Sequence, residues 1–94
     1  MMKLKKHGAF LIEFVESFVN GEISRFEFDL DYSGYVIEHF PGFEAETPRL
    51  AAKFGRIIDA SYDSCSWMAD DSFRMAMSDA LDEFLGIGLS ADIN

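Results

Sequence analysis

Between positions 59 and 71 the chain gathers Asp59, Tyr62, Asp63, Trp67, Asp70 and Asp71. Carboxylates accept charge-assisted hydrogen bonds from Lys and Arg, and Tyr and Trp are the aromatics most enriched where proteins bind proteins. A set of this kind suits recognition of a partner. From Asp59 onward the sequence holds eight acids against one base, Arg74, so the negative charge is concentrated here. Just upstream, Arg49, Lys53 and Arg56 fall in the first half of a helical stretch and Asp59 and Asp63 at its end. Helix dipoles favour the reverse order by about 0.3–1 kcal/mol per exposed charge. Helix stability therefore does not account for the arrangement. The six residues are the expected partner-binding site.

Other groupings of residues could carry chemistry of their own. Asp29, Asp31, Ser33 and Gly34 match the start of a calcium-binding loop, but the twelfth position, where a bidentate Glu belongs, is Phe40. No metal is expected. Asp71-Ser72-Phe73, with Asp79 to Phe84 beyond it, resembles acyl carrier proteins, in which a Ser before a helix carries phosphopantetheine. Only twenty-two residues follow Ser72, however, and an N-cap role for Asp71 or Ser72 explains the same position. That carrier reading stands as an alternative, together with a generic acidic adaptor. His7 and His39 have no pattern of partners that assigns a task, and Cys65 is a lone small residue. No nucleophile elbow or phosphate-binding glycine loop is present. The sequence is expected to bind no cofactor and to catalyse no reaction.

The elements that must hold these residues are helical by pattern. Phe10, Leu11, Phe14, Val15, Phe18 and Val19 recur at helical spacing, and Gly21 follows as a stop, predicting a helix over 8–20. Ser24 and Glu27 form a capping-box pair that opens a second helix over 25–40, stopped by Pro41-Gly42. Inside it, Phe26 to Tyr32 alternates strictly, the period of a half-buried strand. No other segment alternates to pair with it, so helix is the better reading. Thr47-Pro48 starts a third helix over 48–63, and a fourth spans 72–85 before Gly86. The expected architecture is an all-α, antiparallel four-helix bundle in a single domain, 1–94.

Size and charge narrow the function further. At 94 residues, the chain buries about 60–65% of its unfolded surface around one core, and ten Phe suffice to fill it without disulfides. A net charge of −9 is the reverse of a nucleic-acid-binding footprint. The same charge steers encounter with a basic protein. Lys3, Lys5 and Lys6 precede an apolar run in the manner of a secretion signal, but Glu13 and Glu16 interrupt it and no cleavage site follows. No stretch is apolar enough for a membrane span. A cytoplasmic location is expected.

Taken in order, Ile23 to Phe28, Leu50 to Phe54, Ile58 to Tyr62, Asp70 to Phe73 and Ala80 to Phe84 resemble the colicin D-type immunity proteins, a family that includes the immunity proteins of contact-dependent growth inhibition toxins. The resemblance spans nearly the whole chain. It implies a four-helix bundle that acts as an antitoxin, monomeric until it forms a one-to-one complex with the nuclease domain of a cognate tRNase toxin. The acids would occupy the toxin's RNA-binding cleft in place of tRNA phosphates. In the family the acidic surface near the third and fourth helices meets the toxin, which maps to Asp59, Asp63, Asp70 and Asp71.

Overall fold

Apolar residues at helical spacing on every segment force the helices to share one interior, and aromatic rings fill it. The computed structural model describes residues 3–86. Along these lie α1 (Lys6–Val19), α2 (Arg25–Glu46), α3 (Pro48–Phe54), a π-helical turn (Gly55–Asp59), α4 (Ala60–Cys65) and α5 (Asp70–Leu85), with no strand among the described residues. Backbone angles stay helical from α3 through the π turn into α4, so residues 48–65 form one continuous rod. Four helical rods therefore make an all-α bundle, as the periodicity predicts. Phe18, Phe28, Phe43, Phe54, Phe73 and Phe84 are fully buried at its centre, each contributing about 1.5–3 kcal/mol by leaving water.

The contacts run antiparallel. Gly8 at the start of α1 meets Phe43 near the end of α2, while Phe18 at the end of α1 stacks on Phe28 near the start of α2 at 4.3 Å. Tyr62 in α4 reaches back to Asp29. The Lys53 ammonium lies 5.4 Å from the Phe84 ring centre, and Tyr62 meets Phe73 edge-on, so the rod and α5 also run oppositely.

Local signals set most boundaries. Ser24 accepts from the Glu27 N–H at 3.1 Å and the Glu27 carboxylate accepts from the Ser24 N–H at 2.9 Å, the capping box read from the sequence. Gly21 (φ 80°) and Gly86 (φ 77°) end α1 and α5 in the left-handed region that glycine adopts without a Cβ penalty.

Three boundaries differ from expectation. α2 does not stop at Pro41-Gly42; it continues to Glu46. Pro41 forfeits one helical hydrogen bond, at a cost of about 3 kcal/mol, and what lies beyond it offsets that loss. Phe43 is fully buried against Phe54, with ring centres 5.8 Å apart. Glu46 accepts from the His7 N–H at 3.0 Å and the Gly8 N–H at 3.4 Å, capping an α1 that has no acid in its own first turn. Neither Asp71 nor Ser72 is an N-cap: α5 begins at Asp70 after Ala69, so Asp70 and Asp71 sit in the first turn, where acids suit the dipole, and Ser72 is one residue further in. The third rod extends past the expected end at residue 63 to Cys65, which leaves Asp59 well before its last turn. The dipole argument consequently no longer applies to Asp59.

Candidate protein-binding site

The predicted residues fall along one band between α2, α4 and the turn into α5. At its centre Tyr32 and Tyr62 stack face to face, 3.9 Å between ring centres. Their hydroxyls cross over: Tyr32 on α2 donates to Asp59 on the rod at 2.8 Å, and Tyr62 on the rod donates to Asp29 on α2 at 3.1 Å. Burial pushes the Tyr62 hydroxyl pKa up to about 12, helped by the charge of Asp29 and the hydrogen bond to it. Burial pushes Tyr32 higher still, followed by its hydrogen bond to Asp59. Both phenols stay protonated and act as donors. Asp59 and Tyr62 are thus committed to joining two helices, a role the sequence analysis did not assign to them.

Arg25 holds the other end of the band. Its guanidinium lies over the Phe73 ring at 4.1 Å. It donates to the Ser66 carbonyl at 2.6 Å and the Met68 carbonyl at 2.9 Å, and pairs with Asp29 at 3.0 Å and Asp70 at 3.2 Å. One side chain therefore fixes the α4–α5 turn against the start of α2, with its charge spent internally. Planar, forked geometry makes Arg suited to so many simultaneous acceptors. Sequence reasoning missed Arg25 because all its loop partners lie more than forty residues away. The only sign was its place beside a capping box.

Trp67 rides on the turn that Arg25 fixes. It is 78% exposed, and its indole N–H donates to the Ser64 carbonyl at 2.8 Å. The ring is held in place yet uncovered. Asp63 and Asp71 are exposed and form no ion pair among the described residues, whereas Asp70 is paired with Arg25. Beside the band a groove of 180 Å³ is lined by Tyr32, Ile37, Asp59, Tyr62 and Asp63, among others. The structure thus brings all six predicted residues into one neighbourhood and divides them. Asp63, Trp67 and Asp71 are free to contact a partner, while Asp59, Tyr62 and Asp70 build the platform beneath.

The remaining sequence candidates look different in three dimensions. Asp29, Asp31 and Ser33 stand on α2, where successive side chains point around the axis and do not wrap an ion. No group of three or more His, Cys, Asp or Glu able to hold a metal occurs among the described residues. Ser72 is exposed in the first turn of α5. His7 and His39 face each other with Nδ1 atoms 2.8 Å apart, and His39 stacks on Phe10 at 4.1 Å, so both serve the α1–α2 contact. No helix among the described residues is long and apolar enough to cross a membrane.

No family model, curated protein or solved structure matches the chain.

Proposed function

We propose that this protein is an immunity-type inhibitor that binds a basic bacterial tRNase toxin and occludes its RNA-binding cleft. The observation that carries the reading is Trp67, uncovered and tied through its indole N–H to the Ser64 carbonyl, on a stretch of chain that also carries Asp63, Asp70 and Asp71. An aromatic anchor among acids suits a surface built to grip phosphate, because the Lys and Arg of such a cleft exchange phosphate oxygens for carboxylate oxygens. Arg25 and Arg74, the two arginines packed on Phe73 and Phe18 at this end of the molecule, both spend donors on partners inside the fold. The resemblance in residue order to colicin D-type immunity proteins points the same way. Binding of this kind requires no catalytic group and no cofactor.

The test is protection. The gene adjacent to this one is expressed as a toxin, and its tRNA cleavage is followed with and without the purified protein. Stoichiometric inhibition is expected, weakened by Trp67→Ala combined with Asp63→Lys. Undiminished cleavage at excess inhibitor would end the assignment. Intact mass after co-expression with a phosphopantetheine transferase tests the carrier alternative, and an adduct on Ser72 would establish it instead.

A further inference from the structure

Of the two apolar faces of α2, one is left uncovered. Phe28, Tyr32 and Phe43 are buried, but Phe26, Leu30 and Ile37 are 73%, 67% and 76% exposed. At about 100° per residue these three fall within about 40° of one another, on a ridge about 16 Å long. Gly34 lies beside it, about 40° round the helix from Leu30 and between Leu30 and Ile37 along the chain. A Cβ added there would meet nothing within 4 Å, so no contact among the described residues requires glycine, although glycine costs a helix about 1 kcal/mol relative to Ala. The missing side chain leaves room for a close approach from outside.

Carboxylates edge the ridge on both sides. One side falls into a groove of 440 Å³ whose apolar lining includes Phe14, Ile23 and Leu30 and whose rim carries Glu13, Glu27 and Asp31. The other side falls into the groove that holds Ile37, Asp59 and Asp63. Neither groove is lined by a Lys or Arg. The one Lys or Arg on α2 is Arg25, whose side chain is 16% exposed and already paired.

We propose that this ridge docks an amphipathic helical segment of the partner, its apolar stripe seated on Phe26, Leu30 and Ile37 and its Lys or Arg edges facing the two rows of acids. Apolar positions at helical spacing suit helix-on-groove recognition. The acids select the occupant. A second copy of this chain would bring the same carboxylate edges and a charge of −9 against its own. The inference rests on the reading of the protein as a binder of a basic partner and names the structural element through which that partner is held.

Two synthetic probes test it: an amphipathic helical peptide of about 18 Leu and Lys residues, about five turns, and the same peptide with every Leu changed to Ser. Affinities are measured by titration calorimetry at physiological salt, with wild type and with the charge-neutral pair Leu30→Gln, Ile37→Gln. Both substituted positions are exposed, and circular dichroism checks that the fold is kept. The Leu/Lys peptide should bind at least about 10-fold more tightly than its Ser counterpart, and the Gln pair should remove about 10- to 100-fold of that affinity. Equal binding of the two peptides, or a Gln pair without effect, overturns the ridge while leaving the basic-partner reading in place. No binding by either peptide also overturns the ridge, while the basic-partner reading stands or falls on inhibition of the toxin. Sedimentation equilibrium supplies the last arm: a dimer dispersed by the Gln pair would make a second copy the occupant and overturn the proposal.

Discussion

The inner and outer faces of α2 are close in composition and opposite in fate. Phe28 stacks on Phe14 and Phe18 and meets Phe73 and Tyr62; Phe26, two residues earlier, is exposed. Tyr32 finds an acceptor in Asp59, whereas Leu30 and Ile37 face water. What separates the faces is the supply of neighbouring helices. α1 and the α3–α4 rod cover one side of α2, and no described element covers the other. The comparison teaches that residue type alone does not distinguish core from contact surface in a small bundle, because both are made of the same side chains.

The largest expected effect tests that contrast directly. Phe28→Ala should cost about 3–5 kcal/mol, the lost transfer energy plus the cavity left behind. Phe26→Ala should stay within about 0.5 kcal/mol. Urea denaturation followed by circular dichroism measures both, and similar losses would mean that the two faces do not differ as described.

A second pair separates platform from contact within the acidic band. Asp59→Lys strips the buried Tyr32 hydroxyl of its acceptor and should destabilise by about 1–3 kcal/mol. Asp63→Lys makes the same charge change at an exposed site and should stay within about 0.5 kcal/mol. Since both reverse one carboxylate, the difference in denaturation midpoint reads the lost hydrogen bond together with the cost of a Lys at the half-buried position 59. Equal midpoints would remove the structural role given to Asp59.

Two glycines of α2 differ in the same way. A Cβ at Gly42 would overlap the His7 ring at the α1–α2 crossing, and Gly42→Ala should cost about 1–3 kcal/mol through overpacking. Gly34→Ala enters open space and should stabilise by about 1 kcal/mol. Thermal melts of the two variants should therefore shift in opposite directions. A destabilising Gly34→Ala would show that the outer face has a partner within the fold.

The smallest effect appears only in alkali. Tyr62 has its pKa raised by burial, and then by Asp29, from 10.0 to about 12. Tyr32 is raised by burial and then by Asp59. A raised folded-state pKa means the unfolded chain gives up the proton first. The stabilisation is full below pH about 10 and is lost as pH climbs through about 12. Urea midpoints taken stepwise across this range should fall, with tyrosinate absorbance rising as the chain unfolds. Tyr62→Phe should flatten part of the decline, and a midpoint indifferent to pH would contradict the crossed Tyr–Asp pairs.

The alternation from Phe26 to Tyr32 shows how much was legible and in what form. Period two on a helix of about 100° per residue splits into two stripes about 160° apart. The second apolar face was therefore written in the sequence, in a form indistinguishable from a strand until the backbone conformation is known. The six-residue site was legible as a neighbourhood because its members are close in sequence and share charge and aromatic character. Its division into platform and free contacts was not, since Tyr32, Asp29 and Arg25 reach it from α2, 27 to 45 residues away.

By itself, the sequence determined whatever depends on local spacing. Apolar periodicity specified the helices, and Ser24 with Glu27 specified where α2 begins. Gly21 and Gly86 specified where α1 and α5 end, because each such signal acts within one turn of chain. Only the tertiary structure decided whether Pro41 breaks α2, for the burial of Phe43 and the capping of α1 by Glu46 lie outside any local window. It likewise decided that Asp59 holds the fold while Asp63 faces water, and that Phe28 is core while Phe26 is surface. The physical reason is common to all three. Desolvation and hydrogen-bond satisfaction depend on which elements arrive from elsewhere in the chain, and side chains identical in kind take opposite roles accordingly.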